Sequence, residues 1–304
     1  MIQTIDDRQR PTKRRLFVVG LPRSGTTLIQ SVLNAHPDIV SFPESRFYDA
    51  LTHSNSFQKY GRLPVSQWSV RKVAQFARAR ARTALGKPGP HAMKVAERFF
   101  VAAGLEYAVP KLREASHSVS ALNAVFLDVL DQKSPSGWVE KTPVHLFRIP
   151  LISKLVPDAR FVHIFRRPED TIASIWDAGQ KYEDWPWVLQ GDAPLAQLIE
   201  FCNRGQSISL RHIGERQHLV VPYDFFVSDQ QFWLKKIAAF CDIPFSEDMT
   251  VPNINNMNTT TEPWKENNMG KIEKSKSKFE FIFNDEQKNL VLSNLKYRDF
   301  VPYF

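Results

Sequence analysis

The chain has 304 residues, 43% of them apolar, with a net charge of +8 and two cysteines. That is enough apolar material for one large core or two small ones, and the positive balance suits anionic ligands without specifying nucleic acid. No RNA-binding signature, zinc spacing or basic-region helix backs a nucleic-acid role, and no apolar run approaches the ~20 residues of a membrane span. Cys202 and Cys241 lie in apolar helical patterns, form no CxxC and read as core thiols of a reducing compartment. The first residues, MIQTIDDRQRPTKRR, hold no signal-type apolar stretch, so the expected location is cytoplasmic.

Leu16 to Val19 read as a buried strand. Gly20-Leu21-Pro22-Arg23-Ser24-Gly25 is a turn with glycine at both ends, and from Thr26 an apolar set at Leu28, Ile29, Val32 and Leu33 keeps helical spacing until His36-Pro37. Strand, glycine-bounded loop and helix turn backbone N–H groups toward a phosphate. The loop departs from the triphosphate pattern G-x-x-x-x-G-K-[ST]: Thr26 stands where the lysine would be, Thr27 follows, and the positive charge has moved to Arg23. A nucleotide phosphate is expected here, but not a transferring γ-phosphoryl group. The plain alternative is a strand–helix junction whose glycines only make the turn.

Asp38 to Phe42 read as a short strand, followed by Pro43-Glu44-Ser45-Arg46. Ligands of open α/β sheets bind beyond the carboxyl ends of strands, so Glu44 is either a general base facing the loop or half of a surface pair with Arg46. Residues 50–135 read as mostly helical, with Arg71, Lys72, Arg78, Arg80 and Arg82 on a face that is solvated or walls an acidic acceptor, a loop at Gly86 to Pro90, and helical spacing over 105–130 interrupted at Pro110. A strand over Gly137 to Pro143 places Lys141 at its end; a helix over Val144 to Leu155 follows.

The strand Arg160 to Phe165 delivers Arg166 and Arg167 to a helix that starts at Pro168 with Glu169 and Asp170 in its first turn. Ser174, eight residues after Arg166, can converge with it on a dianionic phosphate. A Walker-type nucleotidase would end this strand in a magnesium-binding aspartate. His163 reads as a core histidine. Tyr182, Trp185 and Trp187 lie in a loop that shapes a pocket or covers the core. A helix over Leu195 to Ile213, a strand over His218 to Pro222 ending in Tyr223-Asp224, and a helix from Ser228, its expected N-cap, to Phe240 come next. Residues 245–279 lack periodicity, and their lysines, 265, 271, 274, 276 and 278, suit a flap over an anion. Asn284 to Leu295 is the last helix.

These landmarks resemble the sulfotransferases that use 3′-phosphoadenosine 5′-phosphosulfate (PAPS). GLPRSGTT at 20–27 is similar to the family's 5′-phosphosulfate loop, and RRPEDTIAS at 166–174 to its 3′-phosphate motif. VVPYDFF at 220–226 resembles a later strand ending Tyr-Glu-Asp-Leu, with Asp224 and Phe225 for the acids. LNAHPDI followed by PESR, and GKIEKS at 270–275, most resemble the tyrosylprotein branch, which has serine where this chain has Gly270.

The resemblance implies an α/β, three-layer fold with a central parallel sheet flanked by helices, a P-loop-like sulfotransferase fold. It implies one domain over 16–304, after a tail at 1–15, with a helical insertion at about 50–135 and a cofactor-covering loop at about 245–279. Carried over residue by residue, Ser24, Gly25, Thr26 and Thr27 hold the 5′-phosphosulfate, and Arg166 and Ser174 the 3′-phosphate. Tyr223, Gly270 and Lys271 lie on the nucleotide, Glu44 is the general base, and Arg23 and Lys141 stabilise the transferring group. The implied reaction is an in-line, metal-free displacement giving adenosine 3′,5′-bisphosphate, with a hydroxyl-bearing acceptor (small molecule, carbohydrate or tyrosyl) and no nucleic-acid partner or membrane span; a homo-oligomer is compatible with it. Two other readings stay open: a P-loop kinase of small molecules, and a non-catalytic nucleotide-binding protein.

Overall fold

The computed structural model describes residues 13–51, 74, 77–78, 81–82, 85–134, 136–181, 194–253, 272 and 276–297. The tail at 1–12, Arg71, Lys72, Arg80, Tyr182, Trp185, Trp187, Lys265, Gly270, Lys271 and Lys274 lie outside the described residues, as does most of the expected covering loop.

Five strands form one parallel sheet: β1 (Arg14–Gly20), β2 (Val40–Ser41), β3 (Gly137–Lys141), β4 (Arg160–Phe165) and β5 (His218–Pro222), in the order β2-β3-β1-β4-β5. β1 therefore sits at the centre, and the order reverses beside it: β3 lies on one flank and β4 on the other. Such a switch point opens a crevice outside the carboxyl ends of the strands. Val18 is opposite Lys141, and Gly20 is opposite Ile164, so the ends of β1, β3 and β4 share one edge.

β1 is buried on both faces, and alternation assigns its side chains to two different cores. Phe17 and Val19 join the cluster under α2 (Phe47–Leu51), α3 (Ala92–Ala102), α4 (Val109–Glu114), α5 (Val119–Lys133) and α6 (Ile149–Leu155). Leu16 and Val18 join the cluster under α1 (Thr26–Asn34) and a later helix, α10 (Gln230–Cys241). A third cluster binds α7 (Pro168–Lys181), α8 (Pro194–Arg211), α11 (Phe279–Ile282) and α12 (Asp285–Asn294) and includes Leu21 of the loop. The layers are helix, sheet and helix, as expected.

Local differences have identifiable causes. The second strand is shorter than the expected 38–42. Residues 144–155 do not form one helix: a 3-10 segment, Pro143–Arg148, precedes α6, because Pro150 is tolerated only in a first helical turn. Pro110 does the same at the start of α4 and interrupts no helix. Tyr223 opens a short helix, α9 (Tyr223–Ser228), so Ser228 closes a helix. The N-cap of α10 is Asp229, whose side chain accepts from the Phe232 N–H at 3.1 Å. Both cysteines are buried and in the thiol form, with burial pushing the Cys241 thiol up to about 12.

Phe126 on α5 stacks on Phe47 at 4.1 Å and is fully buried among Tyr48, Phe99 and Phe100. Phe126→Ala should cost about 3–5 kcal/mol of unfolding free energy, read as a lower midpoint in urea denaturation.

Candidate active site

The phosphate-type loop is built on a turn that closes on itself. The Ser24 N–H and hydroxyl both donate to the Leu21 carbonyl, at 3.2 and 2.7 Å, so Ser24 shapes the turn. Gly25 has φ of +107°, and a Cβ there would meet Tyr223 Cδ2 at 2.9 Å; only glycine fits this point. The carbonyl of Gly25 accepts from Leu28 and Ile29, starting α1. The N–H groups of the turn preceding that bond, with Thr26 and Thr27, form the positive end of the helix dipole.

Arg23 adopts the left-handed region, φ 67°, a cost of about 1–2 kcal/mol for a non-glycine residue. Two contacts hold it there. Its Nε donates to Ser174 Oγ at 3.3 Å, and its carbonyl accepts from Arg166 Nη1 at 3.4 Å. The Arg166 guanidinium lies 5.0 Å over the Tyr223 ring, the ring that abuts Gly25, and Gln206 Nε2 on α8 donates to the Arg166 carbonyl at 3.2 Å. Arg23, Gly25, Arg166, Ser174 and Tyr223 thus converge from β1, β4, α7 and α9. Arg166 and Ser174, eight residues apart, each contact Arg23 of the loop.

On the other flank Lys141 donates to Glu44 Oε1. The lysine side chain is 1% exposed and the glutamate 18%. A buried ammonium needs a counter-charge, so Glu44 is paired with Lys141 and not with Arg46, which is exposed. The predicted residues form two groups, on strands flanking β1. Two strand spacings of about 4.8 Å separate β3 from β4.

Glu140, which sequence reasoning passed over, fixes this flank. Its Oε1 accepts from the Ser45 N–H at 3.1 Å, the Ser45 hydroxyl at 2.8 Å and the Thr142 hydroxyl at 2.6 Å; its Oε2 faces His145 Nδ1 at 3.0 Å. Thr142 Oγ1 in turn accepts from the Arg46 N–H at 3.1 Å. Burial favours the neutral acid, but His145, Thr142 and Ser45 outweigh it and hold the carboxyl below its ordinary value. An acid at an inward strand position, next to a lysine and followed by Thr and His, was the available signal.

Parts of the expected covering segment are described. Ile272 is buried and its carbonyl accepts from Gln230 Nε2 at 2.8 Å; Ser277 and Lys278 bond Asp170 and Asp177 of α7, the helix that carries Ser174. Lys278 is therefore engaged with protein, and Lys276 is exposed. His163 is a buried core histidine, as expected.

A depressed carboxyl contributes stability that is complete above its unfolded value and lost as pH falls through the folded one. Glu140→Gln should cost about 2–3 kcal/mol at pH 7. The gap between variant and wild type should narrow below the ordinary glutamate range, as denaturation midpoints across pH would record.

A family model described as the sulfotransferase family matches residues 15–247. The chain is 22% identical over 232 residues to a protein-tyrosine sulfotransferase of Drosophila melanogaster, covering 76% of this chain and 38% of that protein. It is 22% identical over 256 residues to an uncharacterized protein of Aquifex aeolicus (strain VF5), covering 81% and 28%. The chain thus spans less than two-fifths of the length of these curated relatives. Its fold is similar to the sulfotransferase domain of the Synechococcus PCC 7002 olefin synthase, with a TM-score of 0.60, 17% identity and coverage of 94% and 96%. It is also similar to the sulfotransferase domain of the curacin biosynthetic pathway, with a TM-score of 0.56, 15% identity and coverage of 92% and 96%. The family match runs from β1 past the whole parallel sheet, and on that ground the chain belongs to the sulfotransferase family.

Proposed function

We propose that the chain transfers the sulfuryl group of PAPS to an acceptor hydroxyl, with Glu44 as general base. The observation that carries this is the Glu44–Lys141 pair, set at the end of β3 beside a loop shaped for an anion. The residues present fit the nucleotide. The Gly25 position is one a Cβ would fill, Tyr223 offers a flat ring against it, and the donors around it are backbone N–H groups, hydroxyls and two arginines.

PAPS supplies an activated sulfuryl group whose bond to a 5′-phosphate oxygen is the one to break. The chain's own residues do the rest. The N–H groups of Gly25 to Thr27 and the threonine hydroxyls bind the 5′-phosphate end. Arg166 and Ser174 take the 3′-phosphate, their link through Arg23 pre-aligning both. Glu44, held in place by its contact with Lys141, accepts the hydroxyl proton as the acceptor oxygen attacks sulfur. Lys141 and Arg23 stabilise the charge that builds on the bridging oxygen. An anion arriving between them gives Lys141 a second partner, which loosens its hold on Glu44 when the base is needed. The transferring group carries less charge than a γ-phosphoryl, so fixed cations suffice. Gly270 and Lys271 complete the proposed nucleotide set, and residues 16–304 the proposed domain.

Glu44→Gln should lower single-turnover transfer by roughly 10²–10⁴ while leaving the dissociation constant for adenosine 3′,5′-bisphosphate unchanged in calorimetry; unaltered turnover removes Glu44 from the mechanism. Arg166→Ala should weaken bisphosphate binding by about 2–3 kcal/mol, the scale of charge-assisted hydrogen bonds. Preference of the wild type for ATP with magnesium over the bisphosphate would instead indicate a kinase.

A further inference from the structure

At the opposite edge of the sheet, the turn between α8 and β5 carries His212, Glu215 and His218, three residues apart each time. His212 Nδ1 lies 2.6 Å from Glu215 Oε2, and His218 Nε2 lies 3.6 Å from the same oxygen. One donor atom from each residue falls within 4.8 Å of the others. We propose that these three residues bind a divalent transition-metal ion, of the zinc, cobalt or nickel type, that staples the α8–β5 turn to the sheet.

The donor set is the first argument. Two imidazoles and a carboxylate suit borderline ions and not calcium or magnesium, which prefer all-oxygen shells. Ligand bonds of about 2.0–2.2 Å are reached when the His212 ring turns out of its stack on His218, since two parallel rings cannot aim their in-plane lone pairs at one ion; the turned ring carries its proton on Nε2 and presents Nδ1.

The second argument is how the rings are held. His218 is sandwiched between Phe161 of β4 and His212, with centroids at 4.8 and 4.0 Å and interplanar angles of 7° and 9°. Its Nδ1 meets Nε2 of the buried His163 at 2.9 Å, and His163 Nδ1 meets Ser209 Oγ of α8 at 3.2 Å. Metal-bound histidines characteristically use their other nitrogen in this way, which fixes tautomer and orientation. Here the Ser209–His163–His218 chain aims His218 Nε2 at Glu215.

The third is position. Glu215 and His218 also line a cavity of about 680 Å³, with Arg216, Phe225 and Trp233, which leaves room for a fourth ligand such as water. His218 begins β5 and Tyr223 follows its end, so this site is about 16 Å from the nucleotide crevice at 3.3 Å per residue. Its metal takes no part in transfer.

The test is calorimetric titration of the chelator-treated full chain with zinc chloride, with cobalt absorption as a second probe. The expected result is one saturable site, a raised melting temperature, visible cobalt bands of low-symmetry coordination, and unchanged transfer rate. Glu215→Gln and His212→Gln, both at accessible positions, should each weaken zinc binding by more than the roughly 10–100-fold typical of losing an outer-shell partner. No saturable binding in the wild type overturns the proposal. So does binding of equal strength in the wild type and in a folded E215Q variant, which would mark adventitious surface chelation around a plain His–Glu cluster.

Discussion

A carboxylate withdrawn from water must be given donors, and those that Glu140 collects set half of the candidate site. Two come from Ser45, on the loop after β2; two come from Thr142 and His145, beyond β3. The side chain lies between the elements it joins, so it ties the Pro43–Arg46 loop to the end of β3. Glu44 and Lys141 are the sequence neighbours of Ser45 and Glu140. The Glu44–Lys141 pair is therefore held in place by the residues beside it. A single buried acceptor converts two loops into one rigid wall.

The glycine-bounded loop is held by a different means. There the organising contact is Tyr223 against Gly25, with Arg166 over the same ring. Packing and one aromatic plane replace the ionic hub. α8 comes close enough to support both because Gly205 faces Leu21: a Cβ there would be 2.4 Å from Leu21 Cδ2. The strained backbone at Arg23 sits where these supports meet, consistent with strain being kept where surrounding structure over-determines it.

Much of this was legible in the residues. Apolar runs bounded by turn signals located β1, β4 and β5, and the eight-residue spacing from Arg166 to Ser174 picked out two residues that both contact Arg23. Strand β2 was overextended because its pattern continues past the two residues that find a partner. Pro110 was misread as an interruption, and Pro150 was passed over inside the expected 144–155 helix, because proline breaks a helix in its interior but opens one in its first turn. Ser228 reads as the cap because serine is a good one; the unexpected helix α9 occupies it and leaves the cap to Asp229. Glu140 was missed because Ser45, which gives it two of its donors, lies 95 residues away; the spacing of His212, Glu215 and His218 is local, but the ring partners of His218, Phe161 and His163, are not. The contact of Glu44 with Lys141 spans 97 residues, and spacing alone could not choose it over the nearby Arg46.

The central place of β1 bears on how the chain is made. Its neighbours are β3 and β4; Arg14 pairs with Gly137 and Leu16 with Arg160. The strand leaves the ribosome before the other four and has no neighbour in the sheet until more than a hundred further residues follow, a delay of roughly 6–30 seconds at 5–20 residues per second. During that interval Leu-Phe-Val-Val is an apolar, proline-free segment of the kind that seeds aggregation. Arg14 and Arg15 precede it and Arg23 follows. In the finished protein Arg15 pairs with Asp131 and Asp158, both made much later. Until then the same charges act as gatekeepers at the ends of the nascent strand, so the arginines that later lock the sheet first protect it from the wrong neighbours.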